Sequence, residues 1–254
     1  MAFNKKFFTT AGIVASSGGG TGVQVLFAAA STGLTTVDVS DTSNMVVLDT
    51  LSISNASGVD VDMVNKVAYV YRNNGNVDAV DISDASNLSN LSTLSDAKLT
   101  GQGQIQLDVS NQVAYVASQD TDYFTSINIS NPSSMSILDS IANSALDGAD
   151  DVSLDLNNNV AYVSAIIADR IVSIDISNSS NMSILDSFTS SNMDGARNLV
   201  VHSNGDTVYV ACYSDSKVVA INTSNPSNMS ERSALSISGN PISVDIDSAN
   251  DDVI

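Results

Sequence analysis

The amino-acid sequence predicts an all-β fold built from repeated four-stranded antiparallel sheets. A nine-residue phrase occurs five times, first 43 residues apart and then three times 47 residues apart. A period of this length is typical of the four-stranded blades of a β-propeller. The copies are VDVSDTSNM ending at Met45, VDISDASNL at Leu88, INISNPSSM at Met135, IDISNSSNM at Met182 and INTSNPSNM at Met229.

A second repeated feature, a short apolar run, has the same period. The run is VAYVY from Val67, VAYVA from Val113, VAYVS from Val160 and VYVAC from Val208, and Phe27 stands in the tyrosine position of a degraded first copy. Because two independent landmarks keep one phase, the repeat is structural rather than a chance similarity.

One repeat, taken from residue 152 to residue 187, contains four strand signals separated by polar turns. VSLDL alternates apolar and polar residues, VAYVS is almost entirely apolar, and IVSIDIS and MSILDS follow. Alternation is typical of a strand with one covered face, and a continuous apolar run is typical of a strand covered on both faces. We therefore expect the second strand of each blade to be buried between neighbouring blades.

The order of the strands predicts how the ring closes. The chain begins near Val23 with a strand of the second type and ends with one of the first type near Val244. If residues 242–247 lie beside residues 23–29, the two termini share one blade and five blades close without an exposed sheet edge. The alternative is a truncated six- or seven-bladed propeller, because the final DDVI resembles the start of another apolar run.

This pattern divides the chain into an N-terminal arm, residues 1–22, and a β-propeller domain, residues 23–254. The arm carries Lys5 and Lys6 before a short apolar stretch, as a weak signal peptide would, and we expect a retained arm that packs against something. Protein partners or self-assembly through this arm are the predicted interactions, with a surface glycan or receptor as a further candidate partner.

The charge excludes several classes of partner. The chain has 28 acidic and 9 basic residues and a net charge of −19. A surface of this sign repels nucleic acid and anionic membranes. The apolar runs are also too short to span a bilayer, so membrane insertion is not expected.

The repeat resembles the LVIVD repeat, a β-propeller repeat of bacterial surface, secreted and phage-encoded proteins. Residues 67–88, 113–135, 160–182 and 208–229 carry the resemblance, which covers most of the chain after residue 23. The opening MAFNKKFFTTAGIVASSG is similar to that of structural proteins of marine tailed phages. The resemblance implies the propeller architecture and a place on a virion, or on an extracellular or cell surface, and it transfers no catalytic residues.

The sequence offers no evident reaction centre. His202 is the only histidine and occupies a turn position that holds aspartate in the other repeats, so a structural role is favoured over a catalytic one. Cys212 is the only cysteine, and its place in an apolar strand predicts a buried small hydrophobe. We therefore predict no catalytic residue, no cofactor and no established metal site.

The strongest candidate for ligand binding is a polar cluster at one mouth of the channel. LDGADD and MDGARN lead into two consecutive inner strands and place there Asp147, Asp150, Asp151, Asp194, Arg197 and Asn198. The functional interpretation is a site for Ca²⁺ or a polar ligand. The structural interpretation, which we favour at this point, is a set of solvated turns in which Arg197 neutralises nearby aspartates, because the ordered ligands of an EF-hand loop are missing.

These observations predict a structural or adhesive propeller without enzymatic activity, displayed on a virion or cell surface. Two alternatives remain: a propeller hydrolase of the lactonase type, with carboxylates at the channel mouth, and a soluble ligand-binding propeller.

Overall fold

The computed structural model of the protein describes residues 11–14, 24–247 and 252–253. Within these residues lie five four-stranded sheets, a two-stranded hairpin and one short 3₁₀ turn, Ser144–Leu146. In every sheet the strands pair antiparallel in sequence order, as the repeat predicts, so the four-stranded antiparallel blade is confirmed. Among the described residues, no helix has the length and apolar character needed to cross a membrane.

The bounds of the strands follow the repeat. The first sheet contains β1 (Ala11–Val14), β2 (Val25–Ala30), β3 (Gly33–Asp38) and β4 (Val46–Ser52). The second contains β5 (Ala56–Asp62), β6 (Val67–Arg72), β7 (Asn74–Asp81) and β8 (Ser89–Thr100). The third contains β9 (Ile105–Asp108), β10 (Val113–Ser118), β11 (Tyr123–Asn128) and β12 (Ser136–Ala142). The fourth contains β13 (Ala149–Asp155), β14 (Val160–Ala165), β15 (Arg170–Asp175) and β16 (Ser183–Phe188). The fifth contains β17 (Ala196–Val201), β18 (Thr207–Cys212), β19 (Lys217–Asn222) and β20 (Ser230–Ser236), and the hairpin is β21 (Ile246–Asp247) with β22 (Asp252–Val253).

The hydrophobic core lies between consecutive sheets. Every residue of β10 and of β14 is buried, as expected for strands covered on both faces. The tyrosines of the apolar runs, Tyr69, Tyr115 and Tyr162, are almost completely buried. The hydroxyl of Tyr69 donates a hydrogen bond to the Ile129 carbonyl of the next sheet, 3.3 Å away. Each blade is therefore stabilised by its neighbours, as repeat architectures require.

The outer strands join consecutive sheets through aspartates. In the first, third and fourth sheets, an aspartate of the fourth strand accepts a hydrogen bond from a backbone N–H of the following sheet, at 2.7 Å. The pairs are Asp49 with Leu88, Asp139 with Met182 and Asp186 with Met229. The last residue of the repeated phrase is therefore a docking point between blades, and its buried side chain fills the space beside that contact.

A hydroxyl on the third strand makes a second link to the same turn. Thr36, Ser126 and Ser173 each donate to a carbonyl of the following sheet at 2.6 Å. In the second sheet the third strand has Ala79 at the position of this hydroxyl, so the outer strand provides the hydroxyl instead. There Ser92, paired with Ala79 on the outer strand, donates to the Pro132 carbonyl at 2.6 Å. One link to the turn is thus retained although the sequence differs.

The predicted closure of the ring does not match the strand pairing. Residues 242–247 were expected beside residues 23–29. Instead β1, which lies within the expected arm, pairs with β2 at the inner edge of the first sheet, and β21 pairs with β22. The terminal strand of the first sheet was missed because the sequence around Ala11 lacks the repeat pattern. The division of the chain into an arm and a propeller domain stays a prediction.

The first and fifth sheets each have a face that the other described sheets leave uncovered. Met45 is 62% exposed, whereas its equivalents Met135, Met182 and Met229 are 5–9% exposed. On the fifth sheet Leu235 is 66% exposed. The exposed face of the first sheet and that of the fifth carry the same kinds of side chain that are buried between neighbouring blades elsewhere in the structure.

We expect Asp139→Ala to destabilise the protein by about 1–3 kcal/mol, because the Met182 N–H loses its charged acceptor. Asp175→Ala is the matched control, since Asp175 accepts only from Ser177 within its own turn, and it should cost less than about 1 kcal/mol. Urea unfolding of both variants measures the difference. Equal losses would show that the contact between sheets contributes nothing beyond that of a local turn.

Candidate functional site

The inner strands of the blades converge on a cavity of about 560 Å³ along the centre of the propeller. Its wall exposes polar and apolar groups in similar measure and comes from four sheets and from the segment that follows the fifth. The side chains that matter for its chemistry are those of Ser57, Gln102, Gln104, Gln106, Asp150, Asp151, Ser153, Arg197, Asn198, Ser243 and Asp245.

Side chains on the inner strands satisfy backbone donors of the following blade. Inner strands form no ladder with one another, so their free N–H groups need acceptors from elsewhere. In the second, third and fourth blades, side chains supply them: Asp60 accepts from Leu107 N at 2.9 Å, Gln106 from Leu154 N at 2.7 Å and Ser153 from Val201 N at 3.0 Å. Gln106 and Ser153, which also line the cavity, therefore have a structural role.

β-Bulges bring adjacent residues of one strand to the cavity. Successive side chains of a regular strand point to opposite faces. Asp150 and Asp151 both line the cavity, and the pairing of β13 with β14 shifts beside them, between Ala149 and Asp151. The pairing of β17 with β18 shifts in the same way after Ala196, and Arg197 and Asn198 both line the cavity. Bulges commonly redirect side chains in this way.

Arg197 and Asp150 form an ion pair across two blades. The guanidinium Nε lies 3.4 Å from Asp150 Oδ2, with both side chains mostly buried. The guanidinium carbon also lies 5.9 Å from the centre of the Tyr213 ring. The Tyr213 ring and the Asp150 carboxylate together hold the guanidinium of Arg197 in place at the cavity wall.

Asp151 and Asn198 form the second contact between these two blades. Asp151 Oδ2 accepts from Asn198 Nδ2 at 2.6 Å and from the Leu199 N–H at 3.0 Å. Asn198 Oδ1 in turn accepts from the Val244 N–H at 2.7 Å, beyond the fifth sheet. Asp151 therefore has a structural role, and its carboxyl remains part of the cavity wall.

Burial changes the acidity of both carboxyls. Desolvation raises the pKa of Asp150 to about 6, against the lowering effect of the Arg197 charge. Desolvation raises the pKa of Asp151 to about 7, the hydrogen bond from Leu199 opposes it, and the Asp150 charge adds to it. Two adjacent carboxyls in a buried site titrate as a coupled pair, and burial favours the protonated form of both.

The six candidates from the sequence fall into two groups. Asp150, Asp151, Arg197 and Asn198 meet at the cavity, and the two aspartates are buried rather than in solvated turns. Asp147 and Asp194 stand before the strands and outside the cavity wall, where their main chains bond to loops of their own sheets. Among the described residues no three histidine, cysteine, aspartate or glutamate side chains group as metal ligands, and the Ca²⁺ interpretation stays a prediction.

Sequence reasoning missed the glutamines. Gln102, Gln104 and Gln106 line the cavity from the third blade. The signal was the alternation GQGQIQ at the start of an inner strand, where every second residue is a glutamine. This segment carries no charge and differs from the DGA loops of the next two blades, so the sequence alone did not mark it as a candidate site.

Comparison with known proteins identifies a family. A family model described as lactonase, seven-bladed β-propeller, matches residues 21–249. No curated protein matches the sequence. Among solved structures, a protein of Bacteroides uniformis ATCC 8492 assigned as a 6-phosphogluconolactonase superposes with a TM-score of 0.75 at 10% identity, over 92% of this chain and 74% of that one.

Two further structures have the same fold. A protein of unknown function from Desulfotomaculum acetoxidans DSM 771 has a TM-score of 0.69 and 15% identity over 86% of this chain and 69% of its own. A Lactobacillus plantarum protein has a TM-score of 0.70 and 14% identity over 94% of this chain and 72% of its own. At these identities the likeness concerns the fold alone.

The family match corrects three expectations. The resemblance to the LVIVD repeat and to phage structural proteins is wrong, since the lactonase model covers most of the chain. The expectation of a structural or adhesive propeller on a virion is wrong for the same reason, as is the expectation that the protein is not an enzyme. The error arose because repeated phrases determine blade architecture, which these classes share, while the distinguishing residues lie outside the phrases.

The raised pKa values predict a dependence of stability on pH. Folded Asp151 holds its proton to a higher pH than the unfolded chain does, so its contribution is greatest at low pH and is lost as pH rises from about 4 to about 7. Asp151→Asn keeps an acceptor oxygen and removes the ionisation. We expect its stability relative to the wild type to improve by on the order of 3 kcal/mol between pH 4 and pH 8.

Urea unfolding at the two pH values measures this change, with Asp147→Asn as the control from the same loop. The control should show a much smaller change. A stability difference between Asp151→Asn and wild type that is the same at both pH values would contradict the assignment of a buried, proton-retaining carboxyl.

Proposed function

The chain belongs to the lactonase family of seven-bladed β-propellers, and from this premise we propose that it hydrolyses lactones in its central cavity. The observation that carries the proposal is the pair of buried carboxyls, Asp150 and Asp151, beside Arg197 on the cavity wall. Lactone hydrolysis needs a base for water, a donor for the leaving oxygen and a positive group for the developing negative charge.

The two carboxyls supply the base and the acid. Asp150 has the lower pKa because Arg197 stabilises its charged form, so near neutral pH it is the carboxylate of the pair and accepts a proton from water. Asp151 has the higher pKa and is the protonated partner. Environments that separate the pKa values of two neighbouring acids are the usual basis for such a division.

The reaction balances with these groups alone. The water oxygen forms a bond to the lactone carbonyl carbon while its proton passes to Asp150. The ring C–O bond then breaks, and the ring oxygen takes the proton of Asp151 to become a hydroxyl. The product is a hydroxy acid, and proton exchange with solvent restores the pair. The positive charge of Arg197, beside Asp150, offsets part of the negative charge that develops on the carbonyl oxygen of the intermediate.

We expect Asp150→Asn to lower kcat/KM for a six-membered lactone by about 100-fold or more, because the base is removed while the shape is kept. Asp147→Asn, which changes the same charge outside the cavity, should leave kcat/KM within about twofold. Acid release above the spontaneous hydrolysis rate measures both. Full activity in Asp150→Asn would overturn the assignment.

The same mechanism predicts a bell-shaped pH profile. The active form has Asp150 ionised and Asp151 protonated, so the rate should rise through about pH 6 and fall above about pH 7. Initial rates corrected for spontaneous hydrolysis give the profile. A rate that rises steadily to pH 9 would contradict the role of Asp151 as the acid.

We infer further that the five sheets are part of a seven-bladed ring, in place of the five-bladed closure expected from the sequence. The seven blades of the family and the β21–β22 hairpin after the fifth sheet support this count. The exposed Met45 and Leu235 on the two end faces support it as well, because their faces match the halves of a buried interface.

Methionine oxidation of the protein from its natural source tests closure, with internal controls. In a closed ring Met45 should react with peroxide as slowly as Met135, Met182 and Met229, because a neighbouring blade covers it. Mass spectrometry gives the rates, and imaging of the particle should count seven blades. Rapid oxidation of Met45 alone, or a ring of five, would refute the inference.

A further inference from the structure

The side chain of Gln102 lines the cavity, and its Nε2 is buried with no hydrogen-bond partner among the described residues. Buried amide donors are almost always paired, because an unpaired one loses its hydration without compensation. A donor of this kind on the wall of a proposed active site is suited to an oxygen atom of a ligand.

The backbone around Gln102 is held in place by glycines. Gly101 has φ +110° and Gly103 has φ +151°, a region that residues with a side chain rarely adopt. A Cβ at Gly103 would also lie 1.9 Å from the Ala117 carbonyl oxygen. The Gln102 carbonyl accepts from the Gln119 N–H at 2.8 Å, which ties the segment to its own sheet. The glutamine is thus presented by a fixed main chain.

The charges around the cavity disfavour an anionic ligand. The ionisable side chains of its described wall are Asp150, Asp151, Asp245 and Arg197. The one cation among them already contacts Asp150 at 3.4 Å, and the whole chain carries a net charge of −19. A phosphate group would meet the Asp150 carboxylate, which already pairs with Arg197, and the Asp245 carboxylate, with no second cation among the described residues of the wall, so like-charge repulsion would oppose its binding.

The remaining polar groups are neutral donors and acceptors. Ser57, Gln104, Gln106, Asn198 and Ser243 line the cavity from three blades and the segment after the fifth. Ser57, Gln106, Asn198 and Ser243 already make hydrogen bonds within the protein, but a hydroxyl or amide has more donor and acceptor positions than one such bond uses. Hydroxyls and amides at several points of a concave wall match a ligand that carries several hydroxyl groups, each able to donate and accept.

We propose that the substrate is an uncharged, polyhydroxylated lactone and that Gln102 determines this specificity by donating a hydrogen bond from Nε2 to one of its oxygens. The proposal rests on the lactonase function proposed above. It distinguishes this chain's site from one that takes a phosphorylated sugar lactone.

Binding of non-hydrolysable analogues tests the proposal. D-glucono-δ-lactam, in which nitrogen replaces the ring ester oxygen, and its 6-phosphate are titrated into the full chain by calorimetry. We expect the neutral lactam to bind at least about tenfold more tightly than the phosphate. Equal or tighter binding of the phosphate, or no binding of either, would overturn the proposal.

Variants of Gln102 test its role. Gln102→Glu keeps the shape and replaces the donor by a carboxylate, and Gln102→Met keeps the length and removes the donor. Each should weaken binding of the neutral lactam by about tenfold or more. Gln24→Glu adds the same charge at an exposed position and should change nothing. Unchanged binding in Gln102→Met, shown to be folded by its thermal transition, would remove Gln102 from the proposal.

Turnover separates this proposal from the proposed function. Hydrolysis of the neutral D-glucono-δ-lactone is followed in parallel with binding. Selective binding of the neutral lactam without any hydrolysis would refute lactonase activity and leave the specificity of the cavity standing. Hydrolysis of the phosphorylated lactone in preference to the neutral one would support lactonase activity and refute the proposed specificity for an uncharged substrate.

Discussion

Backbone N–H groups that face a neighbouring blade need hydrogen-bond acceptors, and both the contacts between blades and the wall of the cavity depend on this requirement. Each sheet is a meander whose own ladder leaves inner and outer groups unpaired. Side chains of the preceding blade satisfy some of them: Asp139 and Asp186 do so at the outer edge, and Gln106 and Ser153 at the centre. A blade alone would leave these groups without partners and its apolar faces exposed to water. The blades therefore depend on one another for their stability.

The same requirement explains how the cavity obtained its carboxyls. Asp151 accepts from the Leu199 N–H, as Ser153 does from Val201 two residues further along. A second acid, Asp150, lies at the cavity beside the bulge. The fold does not require an acid at this position, because a neutral side chain could occupy it. The corresponding shift in the next blade places Arg197 opposite it. The chemistry is thus concentrated in two neighbouring blades, while the third blade contributes neutral glutamines.

Much of the fold could be predicted from the sequence, because the repeated phrases contain the residues that make turns and buried strands. The VAYV runs correspond to β6, β10 and β14, and the buried tyrosines lie between sheets. The closure was wrong because β1 lacks the repeat pattern, and pairing at the first sheet depends on residues far from the phrases. The bond from the N–H of the phrase's final residue to an aspartate of the preceding blade could not be predicted, because it has no signal in a single repeat.

The candidate site was located in part. The charged residues of LDGADD and MDGARN departed from the repeat and drew attention, and four of the six meet at the cavity. Which of them point inward could not be predicted, because bulges break the alternation of a strand. Gln102 was missed since neither its charge nor its spacing distinguishes it, and its importance rests on an unpaired buried nitrogen that only three-dimensional contacts reveal. The function class was wrong because the repeat carries architecture and no chemistry.

The fold buries two adjacent acids, Asp150 and Asp151, and burial raises the pKa of both. Carbon-13 NMR titration of the Asp150 and Asp151 carboxyls, assigned through the two asparagine variants, measures this directly. The structure predicts that the pair loses its protons in two steps near pH 6 and pH 7. If both carboxyls were ionised by pH 5, like exposed aspartates, the account of the cavity and of its acid and base would be contradicted.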